Sequence, residues 1–197
     1  MNNVICVIPA RGGSQRIPRK NIKDFYGKPI IAYSIEAAHY TGLFDHVIVS
    51  TDDDEISLIA EGYGAKVHRR AEWAGADDVG TQEVVRECLM AIGADGPDDI
   101  ACCIYATAPL MCVQDLHMGY DILKLYRGYT SFVFSVGYPN LRDAGQFYWG
   151  WAQDFVYETP LINEHTRMVQ VDESRICDIN TPADWMEALR KYVELLK

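Results

Sequence analysis

The sequence predicts an α/β protein whose mostly parallel sheet is covered by helices on both faces. The first residues after the N-terminus form a continuous apolar run, VICVIP at Val4–Pro9, which is typical of a strand buried on both faces. Similar runs alternate along the chain with segments of helical apolar spacing, such as residues 30–40. The 197 residues contain no internal repeat or linker, so a single domain over residues 1–197 is expected.

The expected elements follow one another along the chain. After the first strand, apolar runs predict strands at 47–50, 65–68, 100–105, 131–136 and 146–150, with one or two more within 168–179. Helical spacing predicts helices at 30–40, 52–62, 81–92, 114–126 and from 181 onward.

Residue types at the predicted helix starts support this order. The acidic run 52–55 suits the unpaired N–H groups of a helix start. Thr81 is predicted to cap the third helix. Thr181 is predicted to cap the last one, with Pro182 in its first turn and Asp184 in the capping-box position.

Composition excludes several classes of function. Lys and Arg total 18 against 28 Asp and Glu, a formal net charge of −10, so binding of nucleic acid through the overall field is not expected. No apolar run is long enough for a membrane span, and the first residues lack a signal-peptide pattern, so we expect no membrane partner and a cytoplasmic protein. The six cysteines form no CxxC pair and are expected to be buried, reduced thiols.

The loop after the first strand carries the strongest functional signal. Residues 10–21 read ARGGSQRIPRKN and contain four cations, Arg11, Arg16, Arg19 and Lys20. Ligands of open α/β sheets bind at the carboxyl ends of the strands, and a glycine-softened cationic loop there suits a polyphosphate. Neither GxxxxGK[ST] nor GxGxxG is present. The loop is therefore interpreted as a different polyphosphate-binding loop, with a solvated basic loop as the alternative.

This loop resembles the signature of the CMP-nonulosonic acid cytidylyltransferases, the CMP-sialic acid synthetase-like enzymes. The stretch IPARGGSQRIPRKNIKDFYGKPIIAYSIEAA carries the resemblance, and VIVSTDDDEIS, IYATAPLM, DAGQFYWG and DINTPADW agree with it in order. The match covers nearly the whole chain, and DAGQFYWG indicates the pseudaminic acid cytidylyltransferase branch.

The resemblance implies a Rossmann-like, three-layer nucleotide-diphospho-sugar transferase fold, a homodimer and Mg²⁺ as cofactor. The implied reaction joins CTP to the anomeric hydroxyl of an acidic nine-carbon sugar and releases pyrophosphate. N-acetylneuraminate, legionaminate and 3-deoxy-octulosonate stay open as alternative sugars. A nucleotide-binding protein with impaired catalysis is the alternative from another class.

The resemblance also implies roles for individual residues on the nucleotide side. The implied nucleotide-binding residues are Ala10, Arg11, Gly12, Gly13, Ser14, Lys20, Asn21, Arg70, Thr81, Tyr105 and Thr107. Among them, Arg11 and Lys20 are expected to hold the triphosphate and count as catalytic, while the backbone of residues 12–14 offers donors. The small residues 74–76 are expected beside the pyrimidine.

The sugar side and the metal are assigned in the same way. Sugar-binding residues are implied at Asp143, Gln146, Phe147 and Tyr148. Asp178, a third catalytic residue, is expected to bind the metal together with Asn180; a helix cap is the alternative role for Asp178.

Three departures from the family pattern affect these expectations. Gln15 stands where relatives commonly carry Lys, which weakens one phosphate contact. Asn180 stands where a second metal-binding acid is usual, so it brings an oxygen without charge. Residues 137–145 form a much shorter arm than in relatives. Either the arm is shortened or a segment is missing between Asn140 and Asp143; the abrupt junction favours a missing segment and leaves Arg142 as a weak candidate for the sugar carboxylate.

Overall fold

A seven-stranded sheet forms the centre of this computed structural model, which describes residues 3–71, 79–139 and 142–197. The strands are β1 (Val4–Pro9), β2 (Asp24–Phe25), β3 (Lys28–Pro29), β4 (His46–Thr51), β5 (Lys66–Arg69), β6 (Ile100–Ile104), β7 (Phe132–Tyr138), β8 (Asp143–Trp151) and β9 (Arg167–Asp172). Strands β2 and β3 form a separate two-stranded ribbon.

The sheet order is β5-β4-β1-β6-β8-β7-β9. Strand β8 runs antiparallel to both of its neighbours, whereas the other adjacent strands pair in parallel. The predicted mostly parallel sheet is therefore confirmed. The carboxyl ends of β1, β4, β5 and β6 meet at one edge of the sheet, where the loops that follow them form the candidate site.

Helices cover both faces of the sheet. They are α1 (Ile30–Thr41), α2 (Asp54–Gly62), α3 (Thr81–Ala91), α4 (Val113–Leu125), α5 (Ala152–Val156) and α6 (Pro182–Leu195). Helices α1, α2 and α4 contribute to the core on one face, and α3 and α5 to the core on the other. Along the described part of the chain, no helix combines the length and the apolar character needed to cross a bilayer.

The alternation of side chains in β1 shows why its sequence is apolar throughout. Cys6 and Ile8 lie in the core beneath α1, while Ile5 and Val7 lie in the core beneath α3. A strand that is buried on both faces has no solvent side on which a polar residue would be favoured. The three-layer α/β architecture predicted from this pattern is thus confirmed.

The prediction that Thr81 caps helix α3 is wrong. Its N-cap is Gly80, and Thr81 is its first helical residue. The Glu83 carboxylate accepts a hydrogen bond from the Gly80 N–H at 2.8 Å. Because Glu83 satisfies the helix start, the Thr81 hydroxyl is not needed as a cap and lines the neighbouring cavity instead.

Helix α6 begins as predicted. Thr181 is its N-cap, and the Thr181 N–H donates to Asp184 Oδ2 at 2.7 Å in a capping box. The elements that the sequence pattern missed are short: the β2–β3 ribbon and the five-residue helix α5.

The residues predicted to form a shortened arm belong largely to a strand pair. Strands β7 and β8 pair antiparallel, with Val136 opposite Asp143. The Gly137 N–H donates to the Arg142 carbonyl at 2.8 Å. In the described parts of this segment, residues 137–138 therefore belong to β7 and residues 143–145 to β8.

Candidate active site

A cavity of about 290 Å³ opens at the carboxyl ends of the strands, bounded by the cationic loop after β1. Several residues predicted to bind nucleotide or metal line it: Arg11, Ser14, Lys20, Asn21, Arg70, Thr81, Tyr105, Thr107 and Asn180. They come from the loops after β1, β5 and β6, from the start of α3 and from the segment before α6. The structure thus brings together residues from five separate parts of the chain, and we call this space the nucleotide cavity.

Partly buried positive charge is the main electrostatic feature of the nucleotide cavity. The Lys20 ammonium is half-buried and donates to the Ile179 carbonyl at 2.7 Å. Burial lowers the pKa of Lys20, an effect that the nearby Asp178 carboxylate opposes. Burial also lowers the pKa of Arg70, whose Nε donates to the Ser50 carbonyl and hydroxyl oxygens at 3.1 Å each. Cations held away from water interact strongly with an anion that enters the cavity.

Asn21 holds the cationic loop in shape. Its side-chain amide nitrogen donates to the Arg11 carbonyl at 2.9 Å, and the residue is buried. This bond ties the start of the loop to its end, so that Arg11 and Lys20 line the same cavity.

The backbone donors expected at residues 12–14 are engaged within the protein. The Gly12 N–H donates to Asp52 Oδ1 at 3.0 Å, and the Ser14 N–H donates to the Gly12 carbonyl at 3.1 Å. Glycine is required at position 12 for close approach, since a Cβ there would lie 2.5 Å from Asp53 Oδ2. The prediction that the Gly12 and Ser14 amides are open donors is therefore wrong for this structure.

Two further residues of the predicted loop lie off the cavity surface. Ala10 is buried and donates its N–H to the Ser50 carbonyl at 2.9 Å. Gly13 is exposed, and the space around it is open. Ala10 therefore supports the loop from beneath, while Gly13 leaves its outer surface unobstructed.

Arg19 turns away from the nucleotide cavity. Its guanidinium lies 2.5 Å from Asp53 Oδ2 and 2.5 Å from Glu55 Oε2, at the start of α2. The hydrogen bond from Arg19 lowers the pKa of Asp53 to about 2. Because this side chain neutralises the acidic helix start, the expectation that Arg19 supplies charge to a polyphosphate is wrong.

A second cavity of about 190 Å³ adjoins the first, and we call it the acceptor cavity. Tyr105 and Thr107 line both cavities, so they mark the boundary between them. The acceptor cavity also contains Asp143, Tyr148 and Asp178. The structure therefore places two of the predicted sugar-binding residues next to the predicted catalytic aspartate.

A chain of hydroxyl groups leads from the boundary into the acceptor cavity. The Tyr105 hydroxyl donates to the Tyr148 hydroxyl at 3.3 Å, and Tyr148 donates to Asp143 Oδ2 at 2.7 Å. The Gly145 N–H donates to the other Asp143 oxygen at 2.8 Å. Burial raises the pKa of both tyrosines, so both hydroxyls stay protonated near neutral pH.

The other two predicted sugar-binding residues lie outside both cavities. Phe147 is fully buried and packs in the core with Trp149. A direct sugar contact by Phe147 is therefore wrong, because alternate residues of a strand point to opposite faces and Tyr148 takes the cavity side. Gln146 is also buried, and its amide nitrogen donates to the Arg175 carbonyl at 2.6 Å. Gln146 thus supports the backbone behind the acceptor cavity.

The predicted metal residues are joined by a hydrogen bond. Asn180 Nδ2 donates to Asp178 Oδ2 at 2.5 Å, while Asn180 Oδ1 accepts from the Arg16 guanidinium at 2.9 Å. Among the residues that the structure describes, no group of three or more His, Cys, Asp and Glu is arranged for a metal ion. These residues would offer a hard cation one carboxylate and one amide oxygen that Arg16 already engages, so such an ion would need most of its ligands from elsewhere.

Sequence reasoning missed the apolar and small residues that shape the two cavities. Ile17, Val84 and Ala106 line the nucleotide cavity, and Gly145 and Cys177 line the acceptor cavity. Such residue types carry no signal that separates a cavity wall from a core. The small residues 74–76, predicted beside the pyrimidine, lie outside the described residues.

The fold and the cavities together define an α/β protein with a cationic cavity at the carboxyl edge of its sheet, the edge at which ligands of such sheets bind. Residues 5–124 match the family model described as cytidylyltransferase. The chain belongs to the cytidylyltransferase family and is a nucleotidyltransferase. The motif-based recognition of a CMP-nonulosonic acid cytidylyltransferase of the pseudaminic acid branch is confirmed by the relatives described next.

Two relatives illustrate the range of the similarity. A pseudaminic acid cytidylyltransferase of Campylobacter jejuni is 34% identical over 215 residues, covering 91% of this chain and 92% of the relative. An N-acylneuraminate cytidylyltransferase of Oncorhynchus mykiss is 38% identical over 136 residues, covering 68% of this chain and 30% of the relative. The first alignment is longer than the 197 residues of this chain, so that relative contains segments that this chain lacks.

A solved structure supports the fold. CMP:2-keto-3-deoxy-manno-octonic acid synthetase complexed with CTP superposes with a TM-score of 0.78 at 16% identity, covering 98% of this chain and 100% of that one. The predicted nucleotide-diphospho-sugar transferase type of fold is confirmed by this likeness.

Proposed function

We propose that this protein transfers the cytidylyl group of CTP to the anomeric hydroxyl of pseudaminic acid and releases pyrophosphate. The observation that carries the proposal is the junction of two cavities at Tyr105 and Thr107, one cationic and one lined by carboxylates and hydroxyls. The similarity to the Campylobacter pseudaminic acid cytidylyltransferase supports the choice of sugar.

The nucleotide cavity is proposed to hold CTP. Arg11 and Lys20 face the triphosphate from the loop after β1, and Arg70 and Thr81 lie on the side assigned to the cytidine. Transfer of a phosphoryl group needs an in-line arrangement and neutralisation of charge on the leaving pyrophosphate. Partly buried cations supply that neutralisation without reorganisation during the reaction.

The acceptor cavity is proposed to hold the sugar. A sugar there would present its anomeric hydroxyl across the Tyr105–Thr107 boundary to the α-phosphate. The oxygen bonds to phosphorus as the bond to pyrophosphate breaks, and the hydroxyl proton must leave. Asp143 and Asp178 are the carboxylates that line this cavity and are the available proton acceptors.

A divalent cation, Mg²⁺, is the proposed cofactor. Asp178 would hold it with one carboxylate, and Asn180 would contribute an amide oxygen only if Arg16 released it. When bound, the ion neutralises charge on the triphosphate. With so few protein ligands, metal binding is expected to depend on bound CTP.

Replacing Asn180 by Asp tests this assignment and a second candidate function. Asn180→Asp is expected to tighten Mg²⁺ binding in the presence of CTP by about tenfold, since it adds a charged ligand. The second candidate function is a CTP-binding protein with impaired catalysis. It is favoured by the Asn180 amide oxygen, which is engaged by Arg16. Tight CTP binding without turnover, both before and after this substitution, would select that candidate.

The sugar carboxylate has no basic partner among the described residues that line the acceptor cavity. Arg142, the candidate from the sequence, forms an ion pair with Glu173. We therefore propose that a basic residue from the second subunit of a homodimer completes the cavity. The cytoplasmic location expected from the sequence stays a prediction.

Pyrophosphate release from CTP tests the proposed function. The purified chain would be assayed with CTP, Mg²⁺ and a panel of pseudaminic, N-acetylneuraminic, legionaminic and 3-deoxy-octulosonic acids. Pseudaminic acid is expected to show the highest kcat/KM. Equal or better turnover of another sugar acid would reassign the substrate, and absence of turnover with all four by a folded preparation would refute the proposal.

A further inference from the structure

The hydroxyl chain between the two cavities has a fixed direction. The Asp143 carboxylate oxygen accepts hydrogen bonds, and the Tyr148 hydroxyl donates its proton to it at 2.7 Å. Tyr148 has one proton, so its oxygen must accept from Tyr105. The proton of Tyr105 is thereby committed toward the acceptor cavity.

The consequence appears at the other end of the chain. Tyr105 lines the nucleotide cavity, and with its proton committed to Tyr148 it offers only oxygen lone pairs there. Thr81 lines the same cavity. The Tyr105 end of the hydroxyl chain therefore repels phosphate oxygens and attracts N–H or O–H donors.

We propose that Tyr105 is a specificity residue that accepts a hydrogen bond from a donor of the nucleoside, a ribose hydroxyl or the base amino group. Asp143, although it lies in the acceptor cavity, is the positioning residue that sets this polarity through Tyr148. The proposal rests on the proposed function, since it requires that CTP occupies the nucleotide cavity.

An isosteric substitution should reverse the chain. In Asp143→Asn, the amide oxygen would keep the hydrogen bond from the Gly145 N–H, and the amide NH₂ would face Tyr148. Tyr148 would then accept from that NH₂ and donate to Tyr105, which would in turn donate into the nucleotide cavity. A substitution in one cavity would thus change which groups are recognised in the other.

A second variant interrupts the chain without reversing it. Tyr148→Phe keeps the buried ring and removes the hydroxyl, so Tyr105 loses its acceptor and its proton is released. Tyr120→Phe is the matched control, because Tyr120 is a half-buried tyrosine of α4 whose hydroxyl accepts from Lys124. A melting curve of each variant shows whether it is folded. If either Asp143→Asn or Tyr148→Phe does not fold, the other is sufficient for the test.

The experiment compares binding of CTP, 2′-deoxyCTP and UTP to the full chain by calorimetry. The wild type and Tyr120→Phe are expected to prefer CTP over at least one analogue by about tenfold, the value of one well-placed hydrogen bond in a buried site. A loss with 2′-deoxyCTP identifies the ribose hydroxyl, and a loss with UTP identifies the amino group. Asp143→Asn and Tyr148→Phe are expected to reduce that preference about three- to tenfold.

Each outcome bears on a different claim. The inference is wrong if the wild type binds CTP without preference over either analogue, or if folded Asp143→Asn and Tyr148→Phe both keep the wild-type preference. In either case the hydrogen-bonded hydroxyls do not set nucleotide specificity, while the proposed function stands. If the wild type does not bind CTP, the proposed function is wrong and the inference that rests on it is wrong as well.

Discussion

Replacing Lys20 by Met separates a catalytic charge from a structural one. The substitution keeps the length of the side chain but removes the half-buried ammonium that lines the nucleotide cavity. It also removes the 2.7 Å hydrogen bond from Nζ to the Ile179 carbonyl. Lys23→Met is the matched control, because Lys23 is exposed and lies over the Trp185 ring, 4.9 Å from its centroid.

The two effects of Lys20→Met differ in size. Loss of one hydrogen bond costs about 1 kcal/mol of unfolding free energy. Removal of a charge whose burial lowers its pKa offsets part of that cost, so stability should change by less than about 1 kcal/mol. A lost cation that faces developing charge lowers kcat/KM by about 10²- to 10³-fold, equivalent to about 2.7 to 4 kcal/mol.

The assay measures both quantities on the same preparations. Pyrophosphate release gives kcat/KM with CTP and pseudaminic acid, and urea titration gives the free energy of unfolding. Lys23→Met should leave both near the wild-type values. The reasoning would be refuted by a Lys20→Met protein that keeps kcat/KM within about threefold of wild type, or one that loses stability and activity in equal measure.

Three other substitutions test the close approach at Gly12, the ion pair of Asp53 and the core position of Phe147. Gly12→Ala places a Cβ 2.5 Å from Asp53 Oδ2, so it should lower the free energy of unfolding by about 1–3 kcal/mol and weaken CTP binding. Gly13→Ala is the control, because its Cβ would lie in open space and should change neither quantity. Equal effects of the two substitutions would contradict the close approach at Gly12. Asp53→Asn keeps a helix cap but loses the charge whose pKa Arg19 lowers to about 2. A carboxylate whose pKa is lowered in the folded state stabilises the fold at pH values above its unfolded pKa of about 4, and this contribution is lost as the pH falls through 2. In urea titrations, Asp53→Asn should therefore lower the free energy of unfolding by about 1 kcal/mol at pH 7, a value that allows for the exposure of Arg19, and the difference should vanish near pH 2. A difference that does not depend on pH would contradict this. Phe147→Leu should lower stability by about 1–3 kcal/mol without changing the KM for the sugar, and a raised KM at unchanged stability would restore a direct sugar contact.

The centre of the sheet was predictable because its strands β1, β4 and β6 are buried on both faces. Continuous apolar runs such as Val4–Pro9 mark strands and their order along the chain, and the helical spacing between them requires crossovers. The pattern carries no information on direction, so the antiparallel orientation of β8 emerges only from the sheet. Strands β2 and β3 have two residues each, too few for any period to show.

The candidate site was predictable by residue type but not by side-chain direction. Arg19 and Lys20 are adjacent cations of one loop, yet Arg19 pairs with Asp53 while Lys20 faces the nucleotide cavity. Which way each turns depends on the start of α2, which the loop meets only in the folded chain. Thr81 reaches the cavity for a similar reason, since Gly80 forms the helix cap in its place.

Crystals of the protein grown with CTP would show where the nucleotide binds. The triphosphate is expected against Arg11 and Lys20, with the cytidine beside Arg70 and Thr81. A nucleotide bound elsewhere, with the loop after β1 empty, would contradict it.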